Sequence, residues 1–270
     1  MMRPSPYSAH FPTVSGALPE ILAELLRQPE RSSRNGSIRE LTNTSITIEH
    51  PSTRYVTTPG RNASVGAQAA ETMWVLAGRD DIGWLSKYLK RAADFSDDGE
   101  HWFGAYGPRL RRWSTTSKAH GERPIGHDKT VDQLADVVEL LREKNDTRRA
   151  AISLWDPAAD DFDLKDIPCN DWLCFHPAGD GVLDLHVAIR SNDVIWGWSG
   201  INTFEWSVLL DLVATLAGYR TGRITYAQTS LHLYETHYKK AERIIGLADA
   251  ATGWTASEPR PRRTLAKGLG

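Results

Sequence analysis

Four groups of residues in this chain carry side chains that could do chemistry. Cys169 lies between Pro168 and Asn170, just ahead of the apolar run Trp172–Phe175, so its thiol sits at the entry to a strand. Such a thiol is a nucleophile where a positive neighbour lowers its pKa, and otherwise a small buried apolar residue. Cys174 reads as core; with His176 it lacks the spacing and the second ligand pair of a zinc site, so no metal is expected. Glu71 falls within the apolar helical stretch Ala69–Leu76. Buried beside Met73 and Trp74 it would have the raised pKa of an acid/base catalyst; on the helix surface it would be an ordinary carboxylate. Arg34 lies in a glycine-containing loop, Arg148-Arg149 between a helix and a strand, and Arg190, followed by Ser191, at a strand end. Guanidinium groups at three element ends suit convergence on a phosphate, or else are solvated surface charge. In Ser230-Leu231-His232-Leu233-Tyr234, an extended backbone would point His232 and Tyr234 the same way, towards a sugar. The other reading is a capped helix start.

These groups need elements to position them. Apolar spacing predicts helices over Leu18–Leu26, Ala67–Ala77 (stopped by Gly78), Asp81–Ala93, Asp132–Lys144, Phe204–Leu216 and Tyr234–Ile245. Strands are expected over Ser45–Glu49, Ala150–Trp155 and Arg223–Gln228, and over the alternating run Leu183–Arg190. Ser32–Gly36 is a loop signal. Helices and strands mix without strict βαβ alternation, which favours a single α+β domain with helices packed on a mixed sheet. Residues 1–18 read as a loose N-terminal arm, 19–251 as the domain and 252–270 as a flexible tail. The length of 270 residues suits one large domain, and the net charge of −2 excludes a globally basic nucleic-acid coat. Two cysteines make no disulfide framework, so the chain reads as cytoplasmic. No apolar run is long enough to span a bilayer. Ten tryptophans are many for this length; they suit both a core and flat pockets for ring-shaped ligands.

Taken in order, six motifs resemble the thymidylate synthase superfamily from about Arg34 to Ile245. They are Glu71–Gly78, Gly104-Ala105-Tyr106-Gly107 with Arg111-Arg112-Trp113, Asp146–Arg149, Pro168-Cys169, Arg190–Asp193 followed by Gly197, and His232-Leu233-Tyr234. Each is short, and six in the right order are specific. The resemblance implies a thymidylate synthase-like fold and an obligate sheet-to-sheet homodimer, with Arg148 and Arg149 supplied from the partner subunit. It implies that Cys169 attacks C6 of a pyrimidine nucleoside monophosphate and makes C5 nucleophilic towards the one-carbon unit of methylenetetrahydrofolate. Glu71 would move protons, with Tyr106 in the catalytic set. Arg34, Arg190 and Ser191 would hold the phosphate, Asn202 and Asn170 the base edge, His232 and Tyr234 the sugar, and Asp193 the folate pterin.

Departures from the family pattern point to a branch. Asn170 stands where synthases carry His, and the family's active-site Trp falls near Ala93, with Phe95 or Trp102 as substitutes. The closing C-terminal segment is not recognisable in Arg260–Gly270. Arg190–Val194 and Ser230-Leu231-His232 resemble the dCMP and CMP hydroxymethylases, in which water rather than hydride captures the intermediate. The leading expectation is therefore a folate-dependent hydroxymethylase of CMP, dCMP or dUMP. The alternatives are thymidylate synthase proper and a catalytically silent nucleotide-binding homologue. Neither nucleic acid nor membrane is expected as a partner. Asn202 follows a one-residue insertion, and its amide can pair with uracil or, turned over, with cytosine.

Overall fold

A computed structural model of the chain describes residues 6–114, 130–157, 159–160 and 163–252. The chain opens with β1 (Ser8–Phe11), α1 (Val14–Leu26), β2 (Glu30–Ser33), β3 (Gly36–Ile48) and α2 (Val65–Leu76). There follow α3 (Ile82–Leu85), a 3₁₀ turn (Ala92–Phe95), α4 (Tyr106–Arg111), β4 (Trp113–Ser114), β5 (Thr130–Val131) and α5 (Gln133–Glu143). Next come β6 (Ala151–Ser153), β7 (Asn170–Pro177), β8 (Val182–Ile189), β9 (Asn192–Asp193) and a π-helix (Val194–Asn202). The last elements are α6 (Thr203–Ala217), β10 (Arg220–Tyr234), a 3₁₀ turn (Glu235–His237) and α7 (Tyr238–Thr252). No helix among the described residues is long and apolar enough to cross a membrane.

The elements fall into two compact units. The first takes the chain up to Ser64, Ile189–Ser207 and everything from Gly222; the second takes Val65–Ala188 and Val208–Thr221. Neither is a continuous stretch, so no linker cuts the chain in two.

In the first unit β1 runs parallel to β3, β10 antiparallel to β3 and β9 parallel to β10, the mixed sheet expected of the pattern. Helix α1 packs on β3 and α7, burying Leu18, Ile21, Leu22 and Leu25. Pro19 lies inside α1 and has no N–H to offer the carbonyl four residues back. That Ser15 carbonyl accepts instead from the Thr58 hydroxyl at 2.8 Å.

In the second unit β6, β7 and β8 lie side by side, with Ile152, Leu173, Phe175, Leu183, Leu185 and Val187 buried. Helix α4 packs on α2 and α5, and α5 on β6. Gly78 ends α2 at φ +72°, a left-handed cap that glycine adopts without strain.

Three expectations need correction. Residues 8–11 are not a loose arm: they pair with β3 from Ser8↔Ser45 to Phe11↔Ile48, and the ladder buries Phe11. The Asp81–Ala93 helix stops at Leu85. Its buried residues Ile82, Leu85 and Ala92 hang on three-residue closures such as Tyr88 N–H to Leu85 C=O and Ala92 N–H to Leu89 C=O, tighter than α turns. The last helix does not begin at Tyr234, because β10 runs on to that residue, paired with β3 up to Tyr234↔Ile38. The expected tail beyond residue 252 lies outside the described residues.

Candidate active site

In the second unit, three of the singled-out side chains meet. Pro168 is buried and Cys169 half-buried, and β7 starts at the next residue. Asn170, fully buried, gives its backbone N–H (3.2 Å) and its side-chain Nδ2 (2.5 Å) to the Tyr106 hydroxyl oxygen. Tyr106 therefore anchors the turn that carries the thiol. Desolvation pushes the Tyr106 phenol well above its ordinary pKa, with the Cys169 and Asp166 charges adding to the effect, so it stays protonated.

The Gly104–Gly107 motif has a packing reason. A Cβ on Gly104 would stand 2.6 Å from Asp166 Oδ2, and one on Gly107 would stand 2.4 Å from the Arg79 carbonyl oxygen. Asp166 in turn accepts from the Trp102 indole N–H at 2.5 Å. Phe95 stacks on Trp102 at 5.0 Å and 6°, so both aromatics named as substitutes for the family's Trp are held in one stack.

Glu71 is half-buried on α2, whose buried face carries Ala70, Trp74 and Val75. Desolvation pushes its carboxyl up to about 7. Arg148 and Arg149 lie exposed between α5 and β6. Sequence reasoning missed one feature of this unit, the Arg109–Asp160 pair. Arg109 holds both carboxylate oxygens (2.5 and 2.9 Å) and the Leu154 carbonyl (2.7 Å). Nothing in the local pattern marks that pair, since its partners are 51 positions apart.

In the first unit a second group assembles around the π-helix. Asp193 caps it: Oδ1 accepts from Ile195 N–H (2.6 Å) and Trp196 N–H (2.8 Å). Its Oδ2 is buried and has no hydrogen-bond partner among the described residues, an acceptor that a ligand donor would satisfy. Val194–Asn202 winds in the wide turns of a π-helix, a form that concentrates at functional sites. Gly200 permits this, because a Cβ there would stand 2.9 Å from the Ile195 carbonyl oxygen.

Arg61, buried and not foreseen, clamps the same helix through Ser199 Oγ (2.9 Å) and the Ile195 carbonyl (2.5 Å). Burial lowers its pKa and the Asp193 charge opposes the shift. Asn202 is buried and donates to Asn192 Oδ1 at 3.3 Å.

The pairing of β9 with β10 sets His232 opposite Asp193. His232 and Tyr234 meet edge to face at 5.0 Å on the extended strand, as the extended reading requires. Burial lowers the His232 pKa against the opposing charges of Asp193 and Glu40, favouring a neutral ring. Arg34 sits exposed at the β2–β3 turn, while Arg190 and Ser191 are half-buried between β8 and β9.

The family model described as thymidylate synthase matches residues 18–251. The chain is 36% identical over 234 residues to the deoxyuridylate hydroxymethyltransferase of Bacillus phage SP01, covering 84% of this chain and 60% of that one. It is 33% identical over 250 residues to the protein of the same name from Pseudomonas phage M6, covering 91% and 67%. A third protein of that name, from Delftia phage PhiW-14, is 33% identical over 227 residues, covering 80% and 58%. The chain thus spans about three fifths to two thirds of the length of these relatives.

Proposed function

Because the chain belongs to the thymidylate synthase family, we propose that it is a one-carbon transferase that hydroxymethylates C5 of a pyrimidine nucleoside monophosphate, with dUMP as substrate. The observation that carries this reading is a half-buried thiol whose turn is hydrogen-bonded to the Tyr106 hydroxyl, with Glu71, pushed up to about 7 by burial, on α2 of the same unit. The choice of dUMP, and of water as acceptor, is supported by the phage relatives named deoxyuridylate hydroxymethyltransferase.

Cys169 adds as thiolate to C6 of the base, and C5 becomes the nucleophile. Methylenetetrahydrofolate, when bound, supplies the one-carbon unit. The residues present fit its pterin, since the partnerless buried Oδ2 of Asp193 matches ring N–H donors. Glu71, near half-protonated at neutral pH, can take the C5 proton and return protons at the base. Tyr106 keeps its proton and orients the Cys169–Asn170 turn. Loss of the C5 proton would release tetrahydrofolate from the one-carbon unit, water would then add to the C5 methylene carbon and lose a proton, and expulsion of Cys169 as thiolate would restore the ring. Arg34, Arg190 and Ser191 hold the phosphate, His232 and Tyr234 the sugar, and Asn202 and Asn170 the base edge.

A symmetric dimer completes the reading, with Arg148 and Arg149 reaching the partner's phosphate. It is supported by their exposure and by Trp172, exposed on β7 and stacked on His186 at 5.4 Å. The two cysteines are not joined in a disulfide, in keeping with a cytoplasmic protein.

The test is to incubate the chain with methylenetetrahydrofolate and each of dUMP, dCMP, UMP and CMP, weigh the nucleotide product and identify the folate. Hydroxymethyl-dUMP with tetrahydrofolate is expected. A methylated product with dihydrofolate would overturn the choice of water, and no turnover with any nucleotide would overturn the enzyme reading.

A further inference from the structure

Four buried polar side chains of the first unit form one line. Asn202 Nδ2 donates to Asn192 Oδ1 at 3.3 Å, Asn192 Nδ2 to Gln228 Oε1 at 2.8 Å, and Gln228 Nε2 to Thr44 Oγ1 at 3.0 Å. Exposure is 7% at Asn202, 2% at Asn192, 2% at Gln228 and 3% at Thr44, so water does not substitute for any link. The line depends on Gly197, where a Cβ would stand 2.2 Å from Asn192 Oδ1.

An amide has a donor end and an acceptor end. Three amides in series therefore share one polarity: each can turn over only if the next does too. Turning Asn202 alone would set its Oδ1 against Asn192 Oδ1, two acceptors face to face in a buried site. Thr44 Oγ1 accepts at the far end, so reversing the line means turning three buried amides and the hydroxyl together.

We propose that Thr44, Gln228 and Asn192 are positioning residues that hold the Asn202 amide in one orientation, and so set which pyrimidine edge the protein accepts. This rests on the functional reading above, in which Asn202 faces the base. Uracil offers a donor at N3 and an acceptor at O4, whereas cytosine offers the reverse pair. A fixed amide pairs with one of them and opposes the other. With dUMP as substrate, the line excludes dCMP.

The test measures Kd for dUMP and for dCMP by calorimetry on the full chain, in wild type, Gln228→Met, Gln228→Glu and Thr44→Val. A destabilised fold lowers both affinities together, so the ratio isolates orientation. Wild type is expected to prefer dUMP. Gln228→Met breaks the line and reduces that preference about tenfold, the cost of one mispaired buried hydrogen bond. Thr44→Val leaves Gln228 Nε2 without its acceptor and lowers the preference by a smaller factor. Gln228→Glu, an acceptor towards Asn192 in either rotamer, retains the preference. A ratio unchanged in both Gln228→Met and Thr44→Val would overturn the proposal while leaving the functional reading intact. A wild-type chain that bound neither nucleotide would overturn both.

Discussion

In the second unit Cys169, Glu71 and Tyr106 are half-buried, and Glu71 and Tyr106 are shifted towards their protonated forms, while around Asn202 the protein buries amides and hydrogen-bonds them in series. Glu71 and Tyr106 owe their raised pKa values chiefly to desolvation, and Tyr106 also accepts two hydrogen bonds from Asn170. Asp193, Asn192 and Asn202 are instead held by caps, a guanidinium clamp and serial amides. The difference follows from the tasks. In the proposed mechanism Glu71 must change charge during turnover, so fixed hydrogen bonds to one charge state would hinder it, whereas Tyr106 keeps its proton and holds the Cys169–Asn170 turn. A recognition group must not change at all, and each buried bond raises the cost of misorientation.

Four substitutions press on this contrast, starting with the largest effect. In the second unit, Cys169→Ser should abolish tritium release from C5 of the base, a loss of about 10⁴-fold or more; release that persisted would place the nucleophile elsewhere. Glu71→Gln should lower kcat about 10²- to 10⁴-fold and remove the limb of the pH–rate profile near 7. The same substitution has a stability signature of definite sign. A carboxyl raised from 4.5 to about 7 binds more protons folded than unfolded between those values, so wild-type stability falls as pH rises through that window. Tm of Glu71→Gln should lose that fall, and a parallel pH dependence in both proteins would show that Glu71 is not desolvated.

The first unit should respond in binding rather than chemistry. Asp193→Asn keeps a cap oxygen but turns the partnerless Oδ2 into a donor. Folate Kd should rise about ten- to a hundredfold with nucleotide Kd unchanged; equal loss of both ligands would reduce Asp193 to a structural cap. Arg61→Lys cannot reach Ser199 and the Ile195 carbonyl together as the fork does. Denaturant titration should find it about 1 kcal/mol less stable, and no loss would mean the clamp is slack.

Much of the fold was legible because its signals are local. The alternation of Leu183–Ile189 and the stripe of Leu134, Val137, Val138 and Leu141 recur as β8 and α5, with those residues buried. Cys169 at the mouth of β7, and His232 with Tyr234 on one face of β10, were legible for the same reason. Asp81–Ala93 misled because closures of three residues and of four place apolar side chains almost alike. Arg61, Thr44 and Gln228 gave no signal: their partners lie 138 and 184 positions away, and a polar residue with a distant partner looks like a surface residue in sequence.

The proline in α1 reaches further than its own helix. Ser15, whose carbonyl Pro19 leaves to Thr58, also gives its hydroxyl oxygen to the Thr57 N–H at 2.9 Å. Three residues on, that tethered turn delivers Arg61 to the π-helix. Ser15 lies outside the span of the family model, which starts at residue 18. A chain trimmed to that boundary would keep every residue assigned to substrate, yet lose the mooring of the guanidinium that braces their scaffold.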